Sequence, residues 1–145
     1  MRFLGIDFGD RNVGLALSDP LELTAQPLGQ YVLRGAEDDK AFFIDLVKRH
    51  GVGQIIIGNP LRLDGSSGTR ARKTQDFADW LEKVTGLSVI PWDERLTTQQ
   101  AIVIMQEQKV RTRAKRLVEH QISASLILQS YLDLRHLQGH APQDR

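Results

Sequence analysis

The sequence predicts an α/β fold, a mixed β-sheet with helices packed on it. Three observations carry this expectation. Residues 3–6 and 13–17 are short apolar runs joined by a glycine-bracketed turn, the pattern of an antiparallel hairpin. Residues 54–58, QIIIG, hold three consecutive isoleucines, as in a parallel strand covered on both faces. Elsewhere apolar residues recur three and four apart, so that strands alternate with amphipathic helices.

The elements follow in order. Strand one covers about 2–7 and strand two about 13–18. Residues 19–29, DPLELTAQPLG, hold two prolines and read as a loop or irregular edge. Residues 30–33 make a short third strand, which completes a meander. Phe42, Phe43, Leu46 and Val47 give residues 38–50 a helical stripe, with Asp38 or Asp39 as its cap and Gly51 and Gly53 as its end. Strand four is 54–58. Residues 59–70, NPLRLDGSSGTR, form a loop. Thr69 is placed to cap the next helix, which Phe77, Trp80, Leu81 and Val84 anchor and Gly86 stops. Strand five is 87–92. Further helices are expected over about 97–108 and 118–134. Right-handed crossovers make strands four and five parallel to strand one.

The 145 residues suit one domain with a single core, and 41% hydrophobic content is enough to fill it. Cysteine is missing, so disulfides, thiolate chemistry and sulfur-ligated metals are excluded. Any metal is held by oxygen or imidazole. Met1 and Arg2 lead straight into a strand without the features of a secretory leader, and no stretch approaches a membrane span. The expectation is a soluble cytoplasmic protein with no membrane partner. The net charge of +1 is uninformative, but its distribution is not. Residues 109–116, KVRTRAKR, bring Lys109, Arg111, Arg113, Lys115 and Arg116 together without an acid. Arg70, Arg72 and Lys73 form a smaller group. Such segments suit phosphates, although a solvated helix surface has the same composition.

Ligands of α/β sheets sit beyond the carboxyl ends of the parallel strands. Asp7, Asn59, Asp93 and Glu94 all occupy predicted strand ends of that kind. An ionised carboxylate in such a place is costly unless compensated, and gathered carboxylates repel one another. A divalent cation relieves both, and oxygen ligands favour Mg2+ or Mn2+ over zinc. Such ions activate water and stabilise a leaving oxygen in phosphodiester hydrolysis. Plainer explanations compete: Asp7 as a turn cap, and Asp93 and Glu94 as ion-pair partners of Arg95 or helix caps. His120 falls on the stripe of Ala124, Ile127 and Tyr131, as a hydrogen-bonded core histidine or as a metal ligand and proton carrier. Glu119 lies about 100° around the same helix and is a second possible oxygen donor.

Four stretches, GIDFGDRNVGLALSD (5–19), IIIGNPLRLDGSSG (55–68), WDERLTTQQA (92–101) and ISASLILQSYLD (122–133), resemble the YqgF/RuvX family of pre-16S rRNA nucleases and Holliday-junction-resolvase-like proteins. The resemblance implies an RNase H-like fold with strand order 3-2-1-4-5 and helices on both faces; residues 1–137 are expected to form this domain, and 138–145, which hold Gly and Pro with little apolar matter, a flexible tail. It implies metal-dependent hydrolysis of phosphodiesters, in 5′ trimming of precursor 16S rRNA or in branched DNA. The family's first catalytic acid falls on Asp7, and its strand-end pair on Asp93 and Glu94, Glu94 being the preferred metal ligand. The third acid opens the last helix, where this chain has His120 preceded by Glu119. Three outcomes are open: His120 binds the metal, which favours Mn2+; Glu119 substitutes; or metal binding is weak and activity poor. With strand four intervening, strands one and five lie roughly 10 Å apart, so Glu94 must reach inward to share an ion with Asp7.

On this reading Arg11, Arg70, Arg72, Lys73, Arg95 and the 109–116 segment hold the nucleic-acid backbone. Asn59 and Asp64 position substrate or water, or merely close their loop. Structured RNA, branched DNA and a pre-ribosomal particle are the expected partners, for a monomer or a homodimer. Two rivals remain. DFGDRNVG also resembles the phosphate loop of actin/hexokinase-type ATPases, though two such lobes need far more chain. The second rival is an inactive nucleic-acid-binding ribosome assembly factor.

Overall fold

The computed structural model describes residues 1–59, 68–93 and 112–137, with 112–122 as backbone alone. The N-terminal meander is β1 (Arg2–Phe8), β2 (Asn12–Ser18) and β3 (Ala25–Val32). Then come α1 (Ala36–His50), β4 (Val52–Asn59), α2 (Thr69–Thr85), β5 (Val89–Asp93) and α3 (Thr112–Leu137). The strands form one mixed sheet in the order β3-β2-β1-β4-β5. β1 pairs antiparallel with β2 and parallel with β4, and β4 pairs parallel with β5. The expected order 3-2-1-4-5 and the parallel crossovers are both present.

Strand alternation divides the core in two. Leu4, Ile6, Val13, Leu15, Ile55, Ile57 and Val89 point to one face, where they meet Phe43, Leu46 and Val47 of α1 and Ala78 and Leu81 of α2. Phe3, Ala16 and Ile56 point to the other and meet Ala124, Ile127, Leu128 and Leu132 of α3. The three isoleucines of β4 thus serve both faces, as their run implied. Helices therefore cover both sides of the sheet.

α3 runs antiparallel to β1. Its C-terminal end is fastened by Arg135, which donates to buried Glu22 at 3.1 Å and lies 4.9 Å from the Phe3 ring centroid. His136 Nε2 lies 3.0 Å from the Glu22 carbonyl. Tyr131 packs edge-on to Phe3 at 5.7 Å. Further along, a Cβ built on Gly5 would lie 2.7 Å from Leu128 Cβ and 2.9 Å from the Ala124 carbonyl. Glycine at this position lets the helix backbone approach the central strand.

Several boundaries differ from the sequence expectation. α1 begins at Ala36 after Gly35 rather than at a cap on Asp38 or Asp39, and β4 begins at Val52, so Gly53 lies in the strand and does not end the helix. β3 begins at Ala25 rather than at 30, although Pro27 lies within it. As the outer strand of the sheet, β3 tolerates a residue without an N–H, and the pairing shifts register between Leu15 and Ala16 to admit it. α3 begins at Thr112 rather than near 118 and ends at Leu137 rather than 134. Residues 112–117 contain no glycine or proline, and Arg, Ala, Lys and Leu are good helix formers, so the basic run continues the helix. At the other end, the contacts of Arg135 and His136 with Glu22 hold the extra turn. α2 is preceded by Gly68, not capped by Thr69, which is its first residue. Gly51 and Gly86 end their helices as expected, at φ 63 and 73.

The start of α1 is secured from within. Buried Asp39 accepts from the Arg34 and Gly35 amides at 2.9 and 3.3 Å and from the Tyr31 hydroxyl at 2.7 Å. Tyr31 stacks on Phe42 at 3.8 Å. Burial, followed by the hydrogen bond to Asp39, pushes the Tyr31 hydroxyl up to about 12. In the β2–β3 loop, burial raises the Asp19 carboxyl, but the amides of Thr24, Leu23 and Leu21 outweigh this and hold it below its ordinary value.

Two predictions follow from these contacts. Gly5→Ala forces a methyl into the α3–β1 contact and should cost about 1–3 kcal/mol, read as a lower urea midpoint with unchanged m-value. An unchanged midpoint would show that the contact has slack. The second concerns alkaline pH. The unfolded chain releases the tyrosine proton near its ordinary value of 10.0, and the fold keeps it to about 12. Between these values the folded state binds more protons, so stability falls as pH rises. Tyr31→Phe should remove that part of the alkaline slope in Tm; an identical slope would exclude Tyr31 as its source.

Candidate active site

Asp7 is the penultimate residue of β1, on the α3 face, because it continues the alternation of Phe3 and Gly5. It is 8% exposed. Its partner on β2 is Gly14. On β4 the pairing with β1 reaches Ile57, opposite Ile6; the next residue, Gly58, takes the register position beside Asp7 and pairs with Trp92. The row across this end of the sheet is therefore Gly14, Asp7, Gly58, Trp92. Neither adjacent strand contributes a side chain beside the carboxylate. Glycine inside a strand is otherwise unfavourable, and it marks places where a backbone or ligand approaches closely. That signal was legible in the sequence, where Gly14 and Gly58 interrupt apolar strands.

α3 closes this row from above. Along β1, Phe3 lies against Tyr131 and Arg135, and Gly5 against Leu128 and Ala124. Two strand residues and four helix residues each advance about 6 Å. One more step in this progression pairs Asp7 with the turn of helix that contains His120, preceded by Glu119. Trp92 helps fix the helix from β5, donating Nε1–H to Ser130 Oγ at 3.1 Å and packing edge-on to Tyr131 at 5.3 Å.

The β1–β2 turn borders the site on its other side. The Gly9 amide donates to the Asn12 carbonyl at 2.9 Å. The first turn of α2 leans on this bend: Arg70 Nη2 donates to the Phe8 carbonyl at 3.4 Å, and Lys73 Nζ lies 3.9 Å from Asp10. A cleft of about 450 Å³ opens here, lined by Gly9, Asp10, Arg11, Asn12 and Arg70. Two of the expected backbone-binding cations, Arg11 and Arg70, thus share one cleft at the turn that follows Asp7. Lys73 is one turn further along α2, and Arg72 is exposed on the same turn. Asp10 was not anticipated as a partner of Lys73; its place beside Arg11 in a tight turn was the available clue.

Asn59 and Asp93 are paired neighbours at the ends of β4 and β5. Alternation gives them the parity of Ile57 and Val89, the face of α1 and α2, while Asp7 has the α3 face. They share an end of the sheet with Asp7 but not a face. Asp64, Glu94, Arg95, Lys109, Arg111 and the expected helix at 97–108 lie outside the described residues. Arg113, Lys115, Arg116, Glu119 and His120 are placed as helix backbone. Among the described residues no three His, Asp or Glu side chains come together as a metal site.

Residues 1–134 match the family model described as RuvX, Holliday junction resolvase. The chain belongs to the RuvX family. It is 45% identical over 133 residues to a protein of Syntrophus aciditrophicus (strain SB) named "Putative pre-16S rRNA nuclease", covering 92% of this chain and 89% of that one. A protein of the same name from Acetivibrio thermocellus is 44% identical over 135 residues, covering 92% and 96%. Among solved structures, T. thermophilus RuvC in complex with Holliday junction substrate superposes with a TM-score of 0.60 at 15% identity, covering 97% of this chain and 98% of that one. The fowlpox virus Holliday junction resolvase gives 0.51 at 11% identity, covering 92% and 99%. At these identities the likeness concerns the fold, which is RNase H-like. No helix of this RuvX family member, among the described residues, is long and apolar enough to cross a membrane.

Proposed function

We propose that this chain is a divalent-metal-dependent nuclease that hydrolyses phosphodiester bonds of structured nucleic acid, with 5′ processing of precursor 16S rRNA as its task. The relatives' name supports the rRNA substrate, and that task fits the cytoplasm and a pre-ribosomal particle. Holliday junctions, the substrate bound in the T. thermophilus RuvC structure, are the second substrate class to test. One observation carries the reading: a nearly buried carboxylate, Asp7, stands one residue from the end of the central strand with Gly14 as its β2 partner, and the turn that follows lines a cleft with Arg11 and Arg70.

The donor chemistry fits a hard cation. Asp7 supplies carboxylate oxygens. Glu94, which follows the last described residue of β5, is the strand-end acid we assign as the second oxygen donor. His120, or Glu119 before it, occupies the helix turn that follows in the Gly5–Ala124 progression. Imidazole in such a set favours Mn2+ over Mg2+. A bound divalent ion supplies charge neutralisation and a lowered water pKa.

The remaining work falls to the chain. Arg11 and Arg70 hold one phosphate against the β1–β2 turn, and Lys73 and Arg72 extend the positive track along α2. Arg113, Lys115 and Arg116, on the first turns of α3, and Lys109, Arg111 and Arg95 before them, hold flanking phosphates. Such contacts fix register without reading bases, so shape selects the substrate. Asn59 and Asp93, on the opposite face at the same end, support the ends of β4 and β5. His120, standing where the family has an acid, favours one second reading, an assembly factor that binds without cleaving.

Cleavage of structured RNA and of four-way DNA junctions with Mn2+ or Mg2+ tests the proposal. Asp7→Asn keeps the shape and removes the charge, and should lower the rate on the order of a hundredfold or more, the scale seen when one preorganised electrostatic partner is removed. Equal rates in the two proteins would exclude the mechanism and leave the binding reading. Arg70→Ala should weaken binding alike for all sequences and lower the salt slope of log K by about 1. An unchanged slope would remove Arg70 from the phosphate track.

A further inference from the structure

The sheet face opposite Asp7 carries a second cleft, of about 520 Å³, where α1 and α2 meet the end of β1. Its wall is aromatic. Half-buried Phe8, Phe77 and Trp80 line it, with Phe8 and Phe77 stacked at 4.5 Å and Phe77 and Trp80 5.6 Å apart. Polar groups are Asp10, Asp76, Lys73 and Asp39, whose carboxylate is taken up by Tyr31 and the Arg34 and Gly35 amides. Asp10 also lines the Arg11–Arg70 cleft, so the two clefts lie on either side of this residue of the β1–β2 turn.

We propose that this cleft receives an unpaired base of the substrate strand whose phosphates lie on Arg11 and Arg70. The inference rests on the nuclease reading and narrows it: the substrate has an unpaired nucleotide next to the cleavage site. Several features favour a base over other occupants. The volume suits a planar ring with its sugar, at the small end of ligand pockets. Ring walls stack on any base without reading its sequence. The carboxylates of Asp10 and Asp76 disfavour a phosphate inside, yet they accept hydrogen bonds from the amino groups of bases. Lys73, held 3.9 Å from Asp10, stands where the strand's next phosphate would pass. Phe8 directly follows Asp7 in β1, with its side chain on the opposite face. A strand crossing the end of β1 therefore offers a phosphate to one face and a base to the other.

The test measures binding without turnover, in EDTA, by fluorescence anisotropy. Three RNA hairpins are compared: one blunt, one with a three-nucleotide unpaired 5′ extension, and one with the same extension made of abasic nucleotides. The wild-type protein should bind the base-bearing extension about tenfold more tightly than either of the others, the scale of one stacked base. Trp80→Leu, which keeps an apolar side chain beside Phe43, should lose this preference and bind the blunt hairpin as the wild type does. Equal affinity of the wild type for base-bearing and abasic extensions would overturn the proposal, and this comparison needs no variant. So would equal weakening of all three hairpins by Trp80→Leu in a protein with native circular dichroism. Cleavage is not measured, so failure of the nuclease reading registers separately, in the Asp7→Asn comparison.

Discussion

The contact between α3 and the backbone of β1 at Gly5 governs the rest of the structure. A helix can lie this close to a strand only where the strand has no Cβ. Once there, the helix is fastened from four directions. Arg135 and His136 hold Glu22 at its end, Gln129 holds the Leu23 carbonyl and the Ala25 amide, Tyr131 packs on Phe3, and Ser130 accepts from Trp92. A helix is stiff over a few turns, so fixing its C-terminal half also fixes where its N-terminal half passes. That path leads over the end of β1, and Asp7 is there. Glu22 bears much of the fastening and is buried, with φ 63, a conformation rare outside glycine. Removing its charge would strand Arg135, and breaking a buried pair is far costlier than replacing it outright.

The start of α2 is composed against its own stability. Its first turn contains no acid and its N-cap makes no side-chain hydrogen bond. It carries Arg70, Arg72 and Lys73 at the positive end of the helix dipole, an arrangement that costs about 0.3–1 kcal/mol per charge at an exposed site. α1 is the contrast within the same chain, with Glu37, Asp38 and Asp39 in its first turn and Asp39 returning to the Arg34 and Gly35 amides. A phosphate at the Arg11–Arg70 cleft would offset the cost in α2, since dipole and cations both favour an anion there. The local rule is broken where the proposed substrate backbone lies.

Much of the fold was legible because it rests on periodicity. The hairpin, the isoleucine run of β4 and the stripes of α1 and α2 each state their own environment. β3 was shortened because its proline reads as a break, and only its place at the sheet edge makes that proline tolerable. The start of α3 was set too late because a basic run has no apolar stripe to follow, although its propensity for helix is high. Tertiary partners decide such cases, and Glu22, Gln129 and Asp39 announce none of theirs in sequence. At the site, Asp7 was legible as an acid closing an apolar strand, and Arg70 as a cation at a helix start. The aromatic cleft was not, because Phe8 and Phe77 are 69 positions apart and read separately as core.

Parity sharpens what convergence at one end of the sheet can mean. Acids at neighbouring strand ends were read together because ligands gather beyond parallel strands. Each strand, however, presents alternate residues to alternate faces, so sharing an end is only half the condition. Asp7 has the face of Phe3 and Gly5. On β5 that face belongs to Ile90 and Trp92, and Asp93 has the other. Asp93 therefore does not share the face of Asp7, and a partner from α3 must come from the stripe of Ala124 and Leu128. A single-residue slip in β5 would bring Asp93 onto the α3 face. The pairing of Ile56 with Ile90, which keeps both on the α3 side, is what prevents it.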